Sequence, residues 1–444
     1  MKTYEEYKES GEDWIGDIPK AWIDTKLKYY ADVVTGNTPS MKFENFYSSS
    51  KGIPWVKPND LNEFTPITKS KQFLTEEGSF EARIVREGSI LIGGIGDIGK
   101  LGVAGTDITT NQQIHSVEGN LNKIDDDFLK YLIYNSIDAL QKASSSVVLS
   151  ILTKTKLLDL AIVIPSQKEQ TQIAKYLDYK TQIIDALIEK KEQLIKKLQA
   201  QHQAIINEAV TKGLNPNAKM KDSGIEWLGE IPEHWFFNKA KRNTYMKGRI
   251  GWQGLKQEEF IDEGPYLITG MNFKDGVIRW NEVYHITKER YDEAPEIQLK
   301  EGDVLMTKDG TIGKLLFVDN LPGPASLNSH LLVLRCTDDS YIPKYLYYQL
   351  MSELFLVHVE LYKTGTTFFG ITQESVGKYQ MLLPPIEEQA KIVKFLEENL
   401  NTISLVFDKI KDQIKKLKSY RESIISEAVT GKVDVRDWQA PSEN

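Results

Sequence analysis

One cysteine, Cys336, stands among 444 residues, and histidine occurs only six times. A single thiol excludes an internal disulfide framework and any multi-cysteine zinc site. The scattered histidines form no H-x-x-x-H pair with acidic neighbours, so no structural metal is expected. No apolar run approaches the roughly 20 residues that cross a bilayer. The opening MKTYEEYKES is charged and has no apolar core, so no secretory signal is expected and the expected location is cytoplasmic. Positive charge is in short supply too: 55 Lys and Arg against 63 Asp and Glu leave a net charge of −8. That balance argues against a chain that holds nucleic acid by its own net charge, while leaving room for local basic surfaces. Catalytic signatures are missing as well. There is no N-P-P-[YF] or D-P-P-[YF] motif, no G-x-x-x-x-G-K-[ST] loop and no obvious carboxylate–lysine cluster.

What the chain does have, it has twice. SGEDWIGDIPKAW (from Ser10) returns as SGIEWLGEIPEHW (from Ser223), and KYLIY (from Lys130) as KYLYY (from Lys344). IPSQKEQTQIAKYL (from Ile164) returns as LPPIEEQAKIVKFL (from Leu383), and AIINEAVTKG (from Ala204) as SIISEAVTGK (from Ser423). The offset drifts only from 213 to 219 residues, so the protein is one duplicated unit.

The duplication disposes of a nucleotide-binding reading. Gly94-Ile-Gly-Asp-Ile-Gly99 satisfies G-x-G-x-x-G, the cradle for a dinucleotide pyrophosphate. In the second copy Gly94 becomes Lys308, and only Gly-x-Ile-Gly-Lys is kept: Gly96 to Lys100 and Gly310 to Lys314. Strand-like residues follow in both copies. Two strands joined by a glycine turn are expected, not a strand followed by a helix.

Each unit begins with about 150 residues of β-branched and aromatic runs broken by Gly, Pro, Asn and Asp, an α+β pattern. Each then changes character. From Lys168 to Lys212 neither Pro nor Gly occurs, and apolar residues fall at Ile173, Leu177, Ile184, Leu187, Leu194, Leu198, Ile205 and Ala209. The second copy repeats this from Glu387 to Thr430. Spacings of three and four mark a coiled-coil seam. The expected fold is α+β: two tandem α/β globules separated by two long helices packed as an antiparallel coiled coil, with a pseudo-two-fold internal repeat; a homodimer that pairs the helices of separate chains is the alternative. The boundaries read 1–166 and 214–385 for the globules, 167–213 and 386–432 for the helices, and 433–444 for a C-terminal tail.

Two diverged globules at a fixed separation suit a ligand with two separated sites, and duplex DNA read at two places fits. The chain resembles the specificity (S) subunit of Type I restriction-modification systems along essentially its full length. The resemblance rests on W-[IL]-G-[DE]-I-P-x-x-W in both units, on Thr35-Gly-Asn-Thr-Pro39 with Gly52-Ile-Pro-Trp55, and on Gly248-Arg-Ile-Gly-Trp252 with Gly254-Leu255. It rests also on the paired Gly-x-Ile-Gly-Lys turns and on P-x-x-x-E-Q-x-x-I at the start of each long helix. It implies that each globule is a target recognition domain reading one half of a bipartite, asymmetric DNA sequence. It further implies that the helices set the spacer and dock two modification (methyltransferase) subunits, with restriction subunits joining them. The chain itself would be non-catalytic and hold no cofactor, with S-adenosylmethionine and ATP/Mg on its partners.

Base reading needs amides, hydroxyls or cations facing a groove, and phosphate contact needs cations or free backbone N–H groups. Lys100 and Lys314, each after its glycine turn, are candidates for phosphate. Asn111, Gln112 and Gln113, matched by Asn328 and His330, are candidates for bases, with turn-capping as the structural alternative. Lys57, Asn59, Arg249, Trp252 and Lys308 are further DNA candidates. Glu169, Gln170, Glu388 and Gln389, in first helical turns, are candidates for partner docking, with helix capping as the competing role. Trp14, Trp22, Trp227 and Trp235 are expected to be structural. A scaffold whose globules bind proteins accounts for the separation and the acidity, but not for the matched lysine and amide positions.

Overall fold

The computed structural model describes residues 2–96, 98–144, 151–248, 255, 259–273, 278–365 and 370–441. The chain forms two compact units, Met1–Lys191 with Asp412–Asn444, and Glu192–Lys411.

In the first unit the strands that matter are β1 (Ala31–Thr35), β2 (Ile53–Val56), β3 (Pro66–Ile67), β4 (Ile90–Gly93), β5 (Leu101–Ala104), β6 (Ile108–Thr110) and β7 (Ile114–Gly119). Five described strands make one sheet in the order β1–β7–β4–β5–β3, while β2 and β6 pair in parallel within another. Helix α1 (Asp126–Asn135) follows, started by the Asp125 carboxylate, which accepts from the Phe128 N–H. The first long helix is α2 (Gln167–Lys212).

The second unit repeats the plan with β8 (Thr244–Lys247), β9 (Ile261–Ile268), β10 (Val304–Thr307), β11 (Leu315–Phe317), β12 (Ala325–Leu327) and β13 (Leu331–Cys336). Its sheets run β8–β13–β10–β11, with β9 parallel to β12 in the other. Helices α3 (Pro343–Met351), α4 (Glu353–Tyr362) and α5 (Ile386–Val429) complete it, α5 being the second long helix.

Ile90–Ile92 of β4 and Val304–Met306 of β10 are apolar at successive positions because both faces are covered. Ile90 and Ile92 enter one core with Tyr131 and Leu177, while Leu91 enters another with Val56 and Ile114. Val304 and Met306 face one core in the second unit and Leu305 the other. The hairpin expected at the glycines is present: Leu91 lies opposite Gly102, and Leu305 opposite Leu316. Gly93 donates to the Lys100 carbonyl at 2.9 Å and Thr307 to that of Lys314 at 3.0 Å. Gly96 and Gly99 have φ of 77° and 88°, and Gly310 and Gly313 have 69° and 80°, values that favour glycine. No helix follows the turn, so a dinucleotide cradle is excluded.

Each long helix is approached by a strand that ties it to its globule: Ala161–Ile164 pairs with Ile23–Lys26, and Gln380–Leu383 with Phe236–Lys239. In the first unit the helices run antiparallel, Asp185 lying beside Arg421 and Lys191 beside Gln413. The buried seam follows the expectation at Ile173, Leu177, Ile424 and Ala428. It departs at Leu187 and Leu194, which are 42% and 44% exposed. A seam of two helices covers only a narrow stripe, and full burial comes where a globule closes over it. Among the described residues, the segment 433–441 is anchored to the first unit. Asp434 donates to the Lys2 carbonyl at 2.9 Å, and Trp438 lies against Tyr176 and Tyr179.

Candidate nucleic-acid interface

Three loops in each unit carry the candidate residues, and they follow corresponding strands. In the second unit they surround one hollow of about 400 Å³, lined by Thr269, Met271, Lys314, Asn328 and His330 among others. The same registers in the first unit hold Lys57, Asn59, Lys100, Asn111 and Gln113.

The loop after β6 and β12 is held by an asparagine. Asn111 donates its N–H to the Val56 carbonyl (3.2 Å), and its side-chain oxygen accepts from the Gln113 N–H (3.2 Å). Asn328 does the same toward the Ile268 carbonyl (2.9 Å) and from the His330 N–H (3.1 Å). The carbonyls of Asn111 and Asn328 themselves accept from the residue three further on, Ile114 and Leu331. Asn111 also donates its side-chain amide to Gln113 Oε1, and it is buried, so it shapes the turn instead of reading a base. Of the residues between the bonded positions, Gln112 is exposed and Ser329 is half-buried. Gln112 Oε1 accepts from the Thr38 hydroxyl. His330 is exposed, with Nδ1 2.6 Å from Asp309 Oδ1.

The lysines behave differently from one another. Lys100 and Lys314 make no side-chain hydrogen bond or ion pair to any described residue, and Lys314 is exposed. Lys57 is held down. Its ammonium lies 4.4 Å from the Trp55 ring centroid and donates to Gln72 Oε1 at 2.6 Å. Asn59 is exposed in the turn that follows. Lys308 is braced through its backbone, donating to the His330 carbonyl and accepting from Ile371. Gly94 has the same bonds, to Gln113 and from Leu152, which confirms the two as counterparts. Glycine is required at 94 because a Cβ there would lie 2.8 Å from the His115 ring. His115 Nε2 donates to the Leu152 carbonyl at 2.7 Å and Nδ1 accepts from the Thr35 hydroxyl at 2.9 Å. Burial lowers its pKa, so it is a neutral framework group. Arg249 and Trp252 lie outside the described residues.

Sequence reasoning missed two features of the hollow. Phe260 and Tyr284 stack at 4.7 Å and form part of its wall, and Thr269 and Thr307 add hydroxyls. Thr269 could have been found as the counterpart of Lys57. The aromatic pair has no repeat signal.

The docking residues need correction. Gln170 is buried, its Nε2 donating to the Pro165 and Lys123 carbonyls and its Oε1 accepting from the Asp125 N–H. Gln389 copies this with Pro384, Ser340 and Ile342. Neither side chain is available to a partner; each locks its long helix to the loop before α1 or α3. Glu169 Oε1 accepts from Tyr4 (2.6 Å) and from Trp22 Nε1 (3.2 Å). Glu388 Oε2 accepts from Trp235 Nε1 (3.2 Å) and lies 2.7 Å from His234 Nε2. The Glu-Gln pair is therefore an internal clamp on the W-x-G-x-I-P-x-x-W block. Trp22 and Trp235 are buried in it and Trp14 packs against the core, whereas Trp227 is half exposed.

A sequence profile of the Type I restriction modification DNA specificity domain matches residues 19–197 and 253–416. The chain is 26% identical to the Type I restriction enzyme MjaIX specificity subunit of Methanocaldococcus jannaschii, across 97% of each chain. It is 21% identical to the EcoBI specificity subunit of Escherichia coli, across 99% of this chain and 91% of that one. Among solved structures, one concerning complex assembly and conformational transition of the type I R-M system shares the fold. Its TM-score is 0.69 at 17% identity, over 94% of this chain and 99% of that one. No helix among the described residues is long and apolar enough to cross a membrane.

Proposed function

Because the chain belongs to the specificity subunits of Type I restriction-modification systems, we propose that its two units read the two halves of a bipartite, asymmetric DNA target. The long helices set the gap between the halves and dock two modification (methyltransferase) subunits, and restriction subunits join that complex. This chain performs no chemistry. S-adenosylmethionine and ATP/Mg bind the partners, which also supply most of the phosphate neutralisation that an acidic chain lacks.

One observation carries the reading: matched loops present constant and varied side chains side by side. Lys100 and Lys314 are the same residue at the same register. Gln112 is replaced by Ser329, Gln113 by His330 and Lys57 by Thr269. A fixed cation suits the sequence-independent phosphate, and varied amides, hydroxyls and an imidazole suit two different base sequences. A scaffold that binds proteins through its globules would not need the constant lysine.

The test is methylation mapping. The chain is co-expressed with the methyltransferase encoded beside it in a methylation-free host, and modified adenines are located by sequencing. The expected result is a two-part motif with a fixed unspecified gap that disappears when this chain is omitted. A soluble complex of the two proteins that leaves DNA unmodified would favour the scaffold.

A further inference from the structure

In the first unit the segment Thr35-Gly-Asn-Thr-Pro39 runs along the loop that carries Gln112, and its backbone fastens the two together. Gly36 N–H donates to the Ile114 carbonyl (3.1 Å) and Asn37 N–H to the Thr110 carbonyl (3.0 Å). Position 36 is glycine because a Cβ there would collide with Thr110 and with the Asn111 carbonyl. Asn37 is pinned on its other side as well. Its Nδ2 donates to the Glu81 carbonyl (2.6 Å), and its Oδ1 accepts from the Arg83 N–H (3.0 Å). Pro39 has a ring-locked φ, and its carbonyl accepts from the Tyr47 hydroxyl (2.5 Å). Thr38 is therefore held in place by both of its neighbours.

The hydroxyl so held donates to Gln112 Oε1. A glutamine amide has two ends of opposite chemistry, an acceptor oxygen and a donor NH2. With the oxygen engaged by Thr38, the end left for a ligand is the NH2, which donates to no described residue. A free glutamine pairs with adenine in the major groove, accepting from N6 and donating to N7. A glutamine that offers donors suits guanine instead, whose N7 and O6 are both acceptors. Thymine and adenine each show a single acceptor there, and cytosine shows a donor.

We propose that Thr38 is a positioning residue that sets the base read by Gln112, and that this base is a guanine in the first unit's half-site. Adenine would need the Gln112 oxygen as well, at the expense of the Thr38 bond. This rests on the reading of the two units as DNA-recognition domains.

Methylation mapping of the complex with the modification subunits gives the motif, and competition binding against single-base variants gives the size of each preference. Gln112→Ala locates the contact: one base pair of one half-site should relax, and in the wild-type motif that pair should be G·C. Thr38→Val removes the hydroxyl at nearly constant shape and frees the amide. It should admit A·T at the same position, cutting the preference for G·C about ten- to a hundredfold, the range for one bidentate contact. Thr38→Ser returns the hydroxyl and should return the preference. The other half-site should not change in any variant, which separates a lost contact from a damaged fold. The proposal is overturned by a relaxed position that is A·T in the wild type, by a Gln112→Ala chain that relaxes no position, or by a Thr38→Val chain with the wild-type motif. If Thr38→Val does not fold, the base located by Gln112→Ala still decides between guanine and adenine. A wild-type complex that modifies no bipartite motif overturns the DNA-recognition reading itself.

Discussion

At corresponding places in the two units, the first sets a guanidinium and the second an imidazole. Arg421 joins the first globule to both long helices through Glu63, Tyr134 and Asp185. His202 lines a surface hollow together with Tyr348 and Leu400. Around this difference the frame is constant: a glutamate accepts from a buried tryptophan, a glutamine locks the loop before a helix, and an asparagine holds the loop after a strand. The frame repeats because it satisfies buried polar groups, which fixes residue type strictly. Positions that bond outward, or to one neighbour only, are free to differ.

The largest contrast is expected in stability. Arg421→Ala removes a buried cation from Glu63 and Asp185, whose carboxylates are about half exposed, and uncovers Phe64; it should cost about 2–3 kcal/mol in the first unit, mostly from lost packing and hydrogen bonds. His202→Ala should cost less than about 1 kcal/mol in the second, as it breaks no ion pair. Denaturant unfolding measures both, and equal losses would erase the distinction. A smaller effect concerns DNA. In the complex with the modification subunits, Lys100→Ala and Lys314→Ala should each weaken binding alike across sequences and lower the salt slope by about 1. His330→Ala should cost about 1–3 kcal/mol for the target alone and relax one half-site only. Competition binding against single-base variants separates the two behaviours; relaxation of both half-sites would deny that the units read separately.

The smallest contrast is with pH. Burial lowers the pKa of His115 in the first unit and of His202 and His358 in the second. Below the unfolded value of about 6.5 the unfolded chain binds more protons, so stability is full above that pH and is lost as pH falls through it. The second unit, with two such groups, should lose more than the first between pH 7.5 and 5.5. Calorimetry of the wild type and of His115→Gln checks this, and the variant should flatten only the first unit's loss.

The duplication made much of this readable from the residues. The glycine hairpins, the long helices and the loops that carry the candidates all leave a mark in both copies. Comparison of copies also disposed of the G-x-G-x-x-G motif at Gly94. Contacts made once left no such mark. Phe260 meets Tyr284 across 24 positions, and Arg421 meets Glu63 across 358. The Glu-Gln pair misled for a different reason. Its repetition was visible, but its partners, Trp22 and Trp235, belong to a block some 150 residues earlier, and only the folded chain shows that the pair faces inward.

The asparagine turns have an evolutionary consequence. Asn111 ties down the backbone on both sides of Gln112, and Asn328 does the same around Ser329. The shape of each loop is therefore independent of the side chain at its tip. Residues 112 and 329 can change from one lineage to the next without disturbing the fold beneath them. A specificity protein under pressure to acquire new targets would have at these two positions a place to vary cheaply, with inheritance of the scaffold assured.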